Sequence, residues 1–409
     1  MRLAQCGILG VLVVLAAGTL GAQGADSSAH GRLQPNSRDS VAPAPDSAHR
    51  KAFPTDSVRR TRKLGRIVTI DHTPMGDVRE TDFVVAPTVS YSPETGFGGG
   101  AGLVLSRLVG DHLPDQRPAT FQASLQLTQN EQYTITTTAD IWTRHDRYRF
   151  TYEATVSHFP KLFFGIGPST ASAGEKWSPT RARVAGAAWV NVRSHVYVGL
   201  QGLAEHLTLS VNDTGPLMSG AVPGQLGWNV ALVGVMASYD SRAPYYFPTH
   251  GALANLTLLR ADRAIGSEFG YTRATLDMRA YRGLGGGHVL AGQLWADAAS
   301  GTMPFDRMPQ LGGAAILRGM WDGRFRDQGA MAMQGEYRSA AWHRVGVVTF
   351  AALGAVGSSV AAFEPSMFHF AGGVGLRIAL TDDDRLNLRI DRGWGRGTSG
   401  TYFTIGEAF

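Results

Sequence analysis

An all-β chain is predicted, and within that class a transmembrane antiparallel β-barrel of about 16 strands preceded by a disordered N-terminal arm. Three observations predict it. From about residue 81 onward, segments of about ten residues alternate apolar with polar side chains, the period of two that a strand requires. Gly, Asp, Asn and Pro separate these segments, as turns demand. Charged side chains recur on one face of strand after strand while the opposite face is clean of charge, which fits a wet bore and a lipid-facing wall better than a soluble sandwich.

Composition bounds the answer. Of 409 residues, 44% are apolar, 17% are charged and 51 are glycine. That balance excludes a disordered protein, and glycines without a three-residue period exclude collagen. The single cysteine, Cys6, excludes a disulfide scaffold and any thiol chemistry.

The N-terminal elements come first in order. Residues 1–24 carry Arg2, an apolar run from Ile8 to Leu20 and the small-x-small ending Ala22-Gln23-Gly24, the pattern of a secretory signal peptide that would take Cys6 with it. Loss of Arg2 lowers the formal charge from +5 to +4. This mild excess favours anionic surfaces such as lipopolysaccharide and lacks the concentrated basic face of a nucleic-acid binder. Residues 25–80 are rich in Ser, Asp, Pro, Ala and Arg and read as a solvated, disordered periplasmic arm. Its basic run, Arg59, Arg60, Arg62, Lys63 and Arg66, is either a solvated linker or a contact for lipid headgroups or an acidic partner.

Residues 81–409 form the barrel, with strand centres near 86, 102, 124, 137, 152, 186, 200, 234, 256, 275, 293, 334, 349, 374, 388 and 405. Tyr148, Phe150, Tyr152, Ala154 and Val156 share one face, opposite Arg149, Thr151, Glu153 and Thr155. Ala274, Leu276 and Met278 oppose Arg273, Thr275, Asp277 and Arg279, and Leu386, Leu388 and Ile390 oppose Asn387, Arg389 and Asp391. The longest connections follow odd-numbered strands, near 159–179, 209–227 and 300–327, the asymmetry of long surface loops and short periplasmic turns. One stretch competes: Val345 to Phe363 runs nineteen residues without a charge, long enough for a membrane helix. Gly346, Gly354, Gly357, Ser358 and Ser359 argue for a strand ending near Ala355 followed by a small-residue loop.

Motifs narrow the reading further. TYFTIGEAF at 401–409 resembles the β-signal that closes outer-membrane barrels, and LGGAAILRGMWDGRFRDQ at 311–328 resembles the sixth surface loop of the BamA/TamA-type assembly barrels. The core of that loop, an apolar residue followed by Arg-Gly-aromatic, stands here as Leu317-Arg318-Gly319-Met320 with Trp321 next. YDSRAPYYFPTHG at 239–251 and FFGIG at 163–167 agree with the same family, so the resemblance spans residues 81–409. The resemblance is to the bacterial surface antigen type of barrel, and it implies a role in inserting or translocating proteins or lipids at the outer membrane.

Within that resemblance, an arginine folded back into a confined bore needs acidic company. Glu336, on the twelfth strand with Gln334 and Arg338 on its face, is the expected partner of Arg318, and Gly319 would let the backbone turn beside it. The family usually supplies an aspartate from strand thirteen as well. Here Ala352 stands at that position, so Asp322 or Asp327 of the loop itself becomes the candidate substitute. The resemblance also implies a lateral seam between the first and last strands, carried by Phe403, Ile405, Gly406 and Phe409. A POTRA domain is not expected in the 25–80 arm, which is too short and polar to bury a core.

No enzyme is expected. A metal helix motif, a Gly-x-Ser-x-Gly elbow and a phosphate loop before a helix are all missing, so neither catalytic residues nor metal or other cofactors are assigned. Gly96, Gly98, Gly99, Gly100 and Gly102 read as relief for close strand packing. Asp382, Asp383 and Asp384 read as a solvated turn, and His158, His206 and His369 as polar residues lining the bore. Expected partners are outer-membrane lipid and lipopolysaccharide, with unfolded barrel clients or periplasmic factors, and no nucleic acid. A passive or structural pore is the alternative function, and a barrel-embedded hydrolase the remoter one.

Overall fold

A computed structural model of the chain describes residues 81–107, 119–143, 147–211, 217, 222–244, 247–379 and 387–409. The expected signal peptide and arm, and Asp382 to Asp384, lie outside these residues.

Sixteen strands form one antiparallel barrel. They are β1 (Thr81–Ser92), β2 (Gly96–Arg107), β3 (Ala119–Thr128), β4 (Tyr133–Thr143), β5 (Tyr148–His158), β6 (Glu175–Arg193), β7 (Val196–Val211) and β8 (Trp228–Asp240). Then follow β9 (Gly251–Ala261), β10 (Tyr271–Gly285), β11 (His288–Gly301), β12 (Gly329–Arg338), β13 (Val345–Gly357), β14 (Phe368–Ala379), β15 (Asn387–Gly395) and β16 (Thr398–Ile405). Each strand pairs with its neighbour in sequence, and β16 returns to β1, with Tyr91 opposite Phe403. The charge-free stretch is β13 followed by the 3-10 turn Val360–Ala362, so the strand runs two residues past Ala355. Among the described residues no helix is long and apolar enough to cross a membrane. The crossing is made by strands.

The alternation decides which side chains face lipid. Phe150, Tyr152 and Val156 of β5, Leu256 and Leu258 of β9 and Met278 of β10 are exposed on the outer wall. Asp277 and Arg279 of β10, Arg377 of β14, and Arg389 and Asp391 of β15 are buried in the bore. A closed sheet leaves no unpaired edge to hydrocarbon, which is why this architecture can cross a membrane. The glycine run on β2 serves close packing at Gly100, where a Cβ would lie 1.9 Å from the Leu125 carbonyl oxygen.

The apolar core sits inside the barrel and is built on residues 302–328, the connection between β11 and β12. Met303 and Met308 pack with Leu203, Leu207, Trp228 and Leu232 of the β7–β8 wall. Leu311, Leu317, Met320 and Phe325 pack with Ala330, Ala332, Ala352 and Ala371 of β12 to β14. Those alanines leave room for the connection, so Ala352 faces apolar loop side chains where the resembled family usually has a carboxylate.

Candidate functional site

The returning loop is pinned at two heights. Its neck is a two-residue ladder in which Gln310 opposes Arg326 and Leu311 opposes Phe325, and beyond it Gly313 N–H donates to the Met320 carbonyl at 3.0 Å. Leu317 (φ 51°) and Gly319 (φ 109°) both adopt left-handed backbone, turning the tip so that Arg318 points across the bore. A Cβ on Gly319 would lie 2.5 Å from the Trp394 nitrogen, and one on Gly393 2.5 Å from the Arg318 carbonyl oxygen. Two glycines therefore let loop and β15 meet backbone to backbone.

Arg318 is 1% exposed and meets two carboxylates. One nitrogen contacts Glu336 of β12, and Nη1 donates to Asp391 Oδ2 of β15 at 2.6 Å. Its guanidinium also lies 3.6 Å from the centroid of the Phe350 ring on β13. Each carboxylate has a second cation: Glu336 accepts from Arg338 Nε at 3.1 Å, and Asp391 from Arg377 Nη1 at 2.6 Å. The loop backbone is held by Gln334, which donates to the Ala315 carbonyl at 2.8 Å, and by Arg389, which donates to that of Ala314 at 3.3 Å.

Of the expected residues, the structure brings Arg318, Gly319 and Glu336 together. Neither loop aspartate replaces the missing strand-thirteen carboxylate. Asp322 pairs with Lys161 at 3.2 Å and Asp327 accepts from the Gln328 N–H at 2.7 Å. Asp391 takes that place, because the loop tip packs against the inner face of β15 at Gly393.

Phe403 stands at the seam with Tyr91 as its partner, and Ile405 ends the closing strand. Gly406 (φ 88°) then turns the chain inward. Phe409 is not a seam residue: it is buried with Tyr281, Ala291 and Ala408, and its backbone oxygen accepts from Arg338 Nη2 at 3.0 Å. Glu407, two residues before it, also turns into the bore and accepts from Arg377 Nε at 2.7 Å.

Two groups were not foreseen. The first braces the seam. Tyr402 of β16 accepts from the Gly319 N–H at 3.0 Å and donates to the Met320 carbonyl at 3.2 Å, while Thr398 donates to the Gly319 carbonyl. On the other side of the seam, the Asp322 N–H donates to Glu94, in the turn between β1 and β2, at 3.1 Å. The loop thus touches the closing strand β16 and the turn that follows β1. The second group fixes the outer half of the loop to the wall: Asp306 pairs with Arg181 of β6, and Arg307 Nη1 with Glu205 Oε2 of β7 at 3.1 Å. The opposite charges of Asp306-Arg307 were the one signal in the sequence for this clamp.

Among the histidines, His369 stacks on Phe325 inside the bore, whereas His158 does not line it: it shares the outward face of Phe150, Tyr152 and Val156 on β5, stacks beside Tyr133 and bonds Thr180 at 2.9 Å. His206 does not line the bore: it is exposed, on the face opposite Glu205 and Leu207, and bonds Asn229 at 2.7 Å. Among the described residues no group of three His, Cys, Asp or Glu is placed to hold a metal.

A closed antiparallel barrel with a greasy exterior, a charged bore and a long connection clipped inside it defines a membrane barrel of the outer-membrane kind. The chain belongs to the Omp85 superfamily, whose domain matches residues 117–409. Similar solved structures include BamA from Haemophilus ducreyi lacking POTRA domains 1–3, 14% identical with a TM-score of 0.56 over 81% of this chain and 70% of that one. CdiB from Acinetobacter baumannii is 13% identical, with a TM-score of 0.52 over 80% of this chain and 59% of its own. CdiB from Escherichia coli is 12% identical, with a TM-score of 0.51 over 81% and 64%. This chain therefore spans less than two thirds of either CdiB. No curated protein matches it in sequence.

Proposed function

We propose that this protein resides in a bacterial outer membrane and acts in the insertion or translocation of proteins or lipids there, with the β1–β16 seam as its moving part. Arg318, Gly319 and Glu336 anchor the returning loop, Phe403 and Ile405 form the closing edge, and Gly406 is where that edge leaves the wall. The partners are membrane lipid, lipopolysaccharide and unfolded barrel clients or periplasmic factors.

One observation carries this reading: a single buried loop grips β16 through Tyr402 and the β1–β2 turn through Glu94. A barrel that only conducts has no need to hold its first and last strands with a removable element, whereas a barrel that opens sideways does. The bore around Arg318 is filled by loop side chains, which also disfavours a passive pore.

The test uses Tyr91→Cys together with Phe403→Cys, which are register partners across the seam. Oxidation should stop the barrel from accelerating folding of a client barrel in liposomes, and reduction should restore it. Full acceleration by the oxidised form would overturn the proposal, and a large steady conductance in planar bilayers without any acceleration would replace it with the pore.

A further inference from the structure

The outer wall next to the seam carries a cation that neither the loop nor the clasp uses. Arg392 lies on β15 between buried Asp391 and Gly393, so it points away from the bore and is exposed on the lipid face. Leu388 and Ile390 precede it on that face and Trp394 follows it. Val374, its register partner on β14, is exposed beside it. The apolar face continues past it toward the long-loop end of the barrel, where Phe370 is 62% exposed.

A guanidinium set into a greasy face needs either a carboxylate or a headgroup. Another outward arginine near that end, Arg260, has Asp262 at 3.1 Å. Arg392 has no carboxylate among the described residues. It donates to Thr401 Oγ1 at 2.9 Å and Ser399 Oγ at 2.7 Å, both on β16, and its guanidinium carbon lies 5.8 Å from the Trp394 ring centroid. Two hydroxyls satisfy part of its five-donor fork and leave the charge itself without a counterion. Its position, four residues from the β15–β16 turn, places it within reach of a headgroup layer while its stem stays among apolar neighbours.

We propose that Arg392, Ser399, Thr401 and Trp394 form a binding site for the phosphate of a lipid headgroup. The guanidinium supplies bidentate, charge-assisted donors, the two hydroxyls add donors to the remaining phosphate oxygens, and the indole supports the acyl or sugar portion above. Because Ser399 and Thr401 belong to the closing strand, a lipid held here sits beside the seam. The site does not depend on the assembly role.

The test measures lipid retention on the purified full-length barrel by native mass spectrometry, with phosphatidylglycerol, lipid A and phosphatidylcholine as probes. The wild type should retain one phosphatidylglycerol or lipid A molecule more tightly than phosphatidylcholine, whose choline shields its phosphate. Arg392→Gln should weaken that retention roughly tenfold or more, the scale of a lost charge-assisted pair. Arg392→Lys should retain part of it. Arg282→Gln, at an exposed position of β10 near the short-turn end, should leave it unchanged. Equal retention by wild type and Arg392→Gln would overturn the proposal, as would an equal loss in Arg282→Gln. Folding of each variant is checked by heat-modifiable mobility, and Ser399→Ala with Thr401→Val gives a second route that keeps the charge, with weakened retention expected and unchanged retention counting against the site.

Discussion

The β6–β7 wall and the β1–β16 seam are both antiparallel pairs of one sheet, yet they are held by different means. The wall runs from Trp177 opposite Val211 to Arg193 opposite Val196, a long backbone ladder broken only by a bulge between Asn191 and Arg193. The seam's described ladder stands at Tyr91 and Phe403. Beside that described pair the loop contacts Tyr402 and Thr398 of β16 and Glu94 of the β1–β2 turn. Backbone ladders are permanent parts of a folded sheet. Side-chain contacts to a loop can be withdrawn, which is what the proposed sideways opening requires.

The largest break in that comparison is expected from Arg318→Ala. It strips one cation from two buried carboxylates, each of which keeps another arginine, so the cost should be about 3 kcal/mol, near the lower end for breaking a buried pair. Urea unfolding in detergent micelles would show it as a lowered midpoint. Gly319→Ala should cost about 2 kcal/mol, since alanine strains at φ 109° and its Cβ would collide with the β15 backbone. The same unfolding series measures this. Tyr402→Phe removes one hydroxyl and both its loop contacts. It should lower stability by about 1 kcal/mol while raising proteolytic access to the β1–β2 turn, without change at β6–β7.

The smallest effect is one of pH. Burial, and then the nearby Asp322 carboxylate, push the Glu94 carboxyl up from its ordinary 4.5. The folded protein therefore holds this proton to higher pH than the unfolded chain does. Its stabilising contribution is full below 4.5 and declines as pH rises through the raised value. Glu94→Gln, neutral throughout, should flatten that decline above pH 4.5 in a pH series of the same urea midpoints.

Much of the wall was legible because a strand's period of two needs no tertiary information. All sixteen expected centres fall within or at the edge of observed strands, and the inward faces containing Asp277 and Asp391 were assigned correctly. Arg318 and Glu336 were legible together because a loop motif named one and strand parity the other. Asp391 was placed on the inner face but not beside Arg318. That neighbour depends on where the loop tip meets the inner face of β15, and the two residues are 73 positions apart. Tyr402 and Glu94 escaped for the same reason: their partners are backbone groups of the loop tip, which carry no residue-type signal. Phe409 was misplaced because alternation continues through the final strand, while the turn at Gly406 removes the tail from the wall.

The central claim is that the returning loop, not the backbone ladder, holds the seam. Amide hydrogen exchange on the barrel in nanodiscs, wild type against Arg318→Ala, tests it most directly. Protection should fall in β1 and β16 and stay unchanged in β6 and β7. Uniform loss across all four strands, or unchanged protection at the seam, would contradict it.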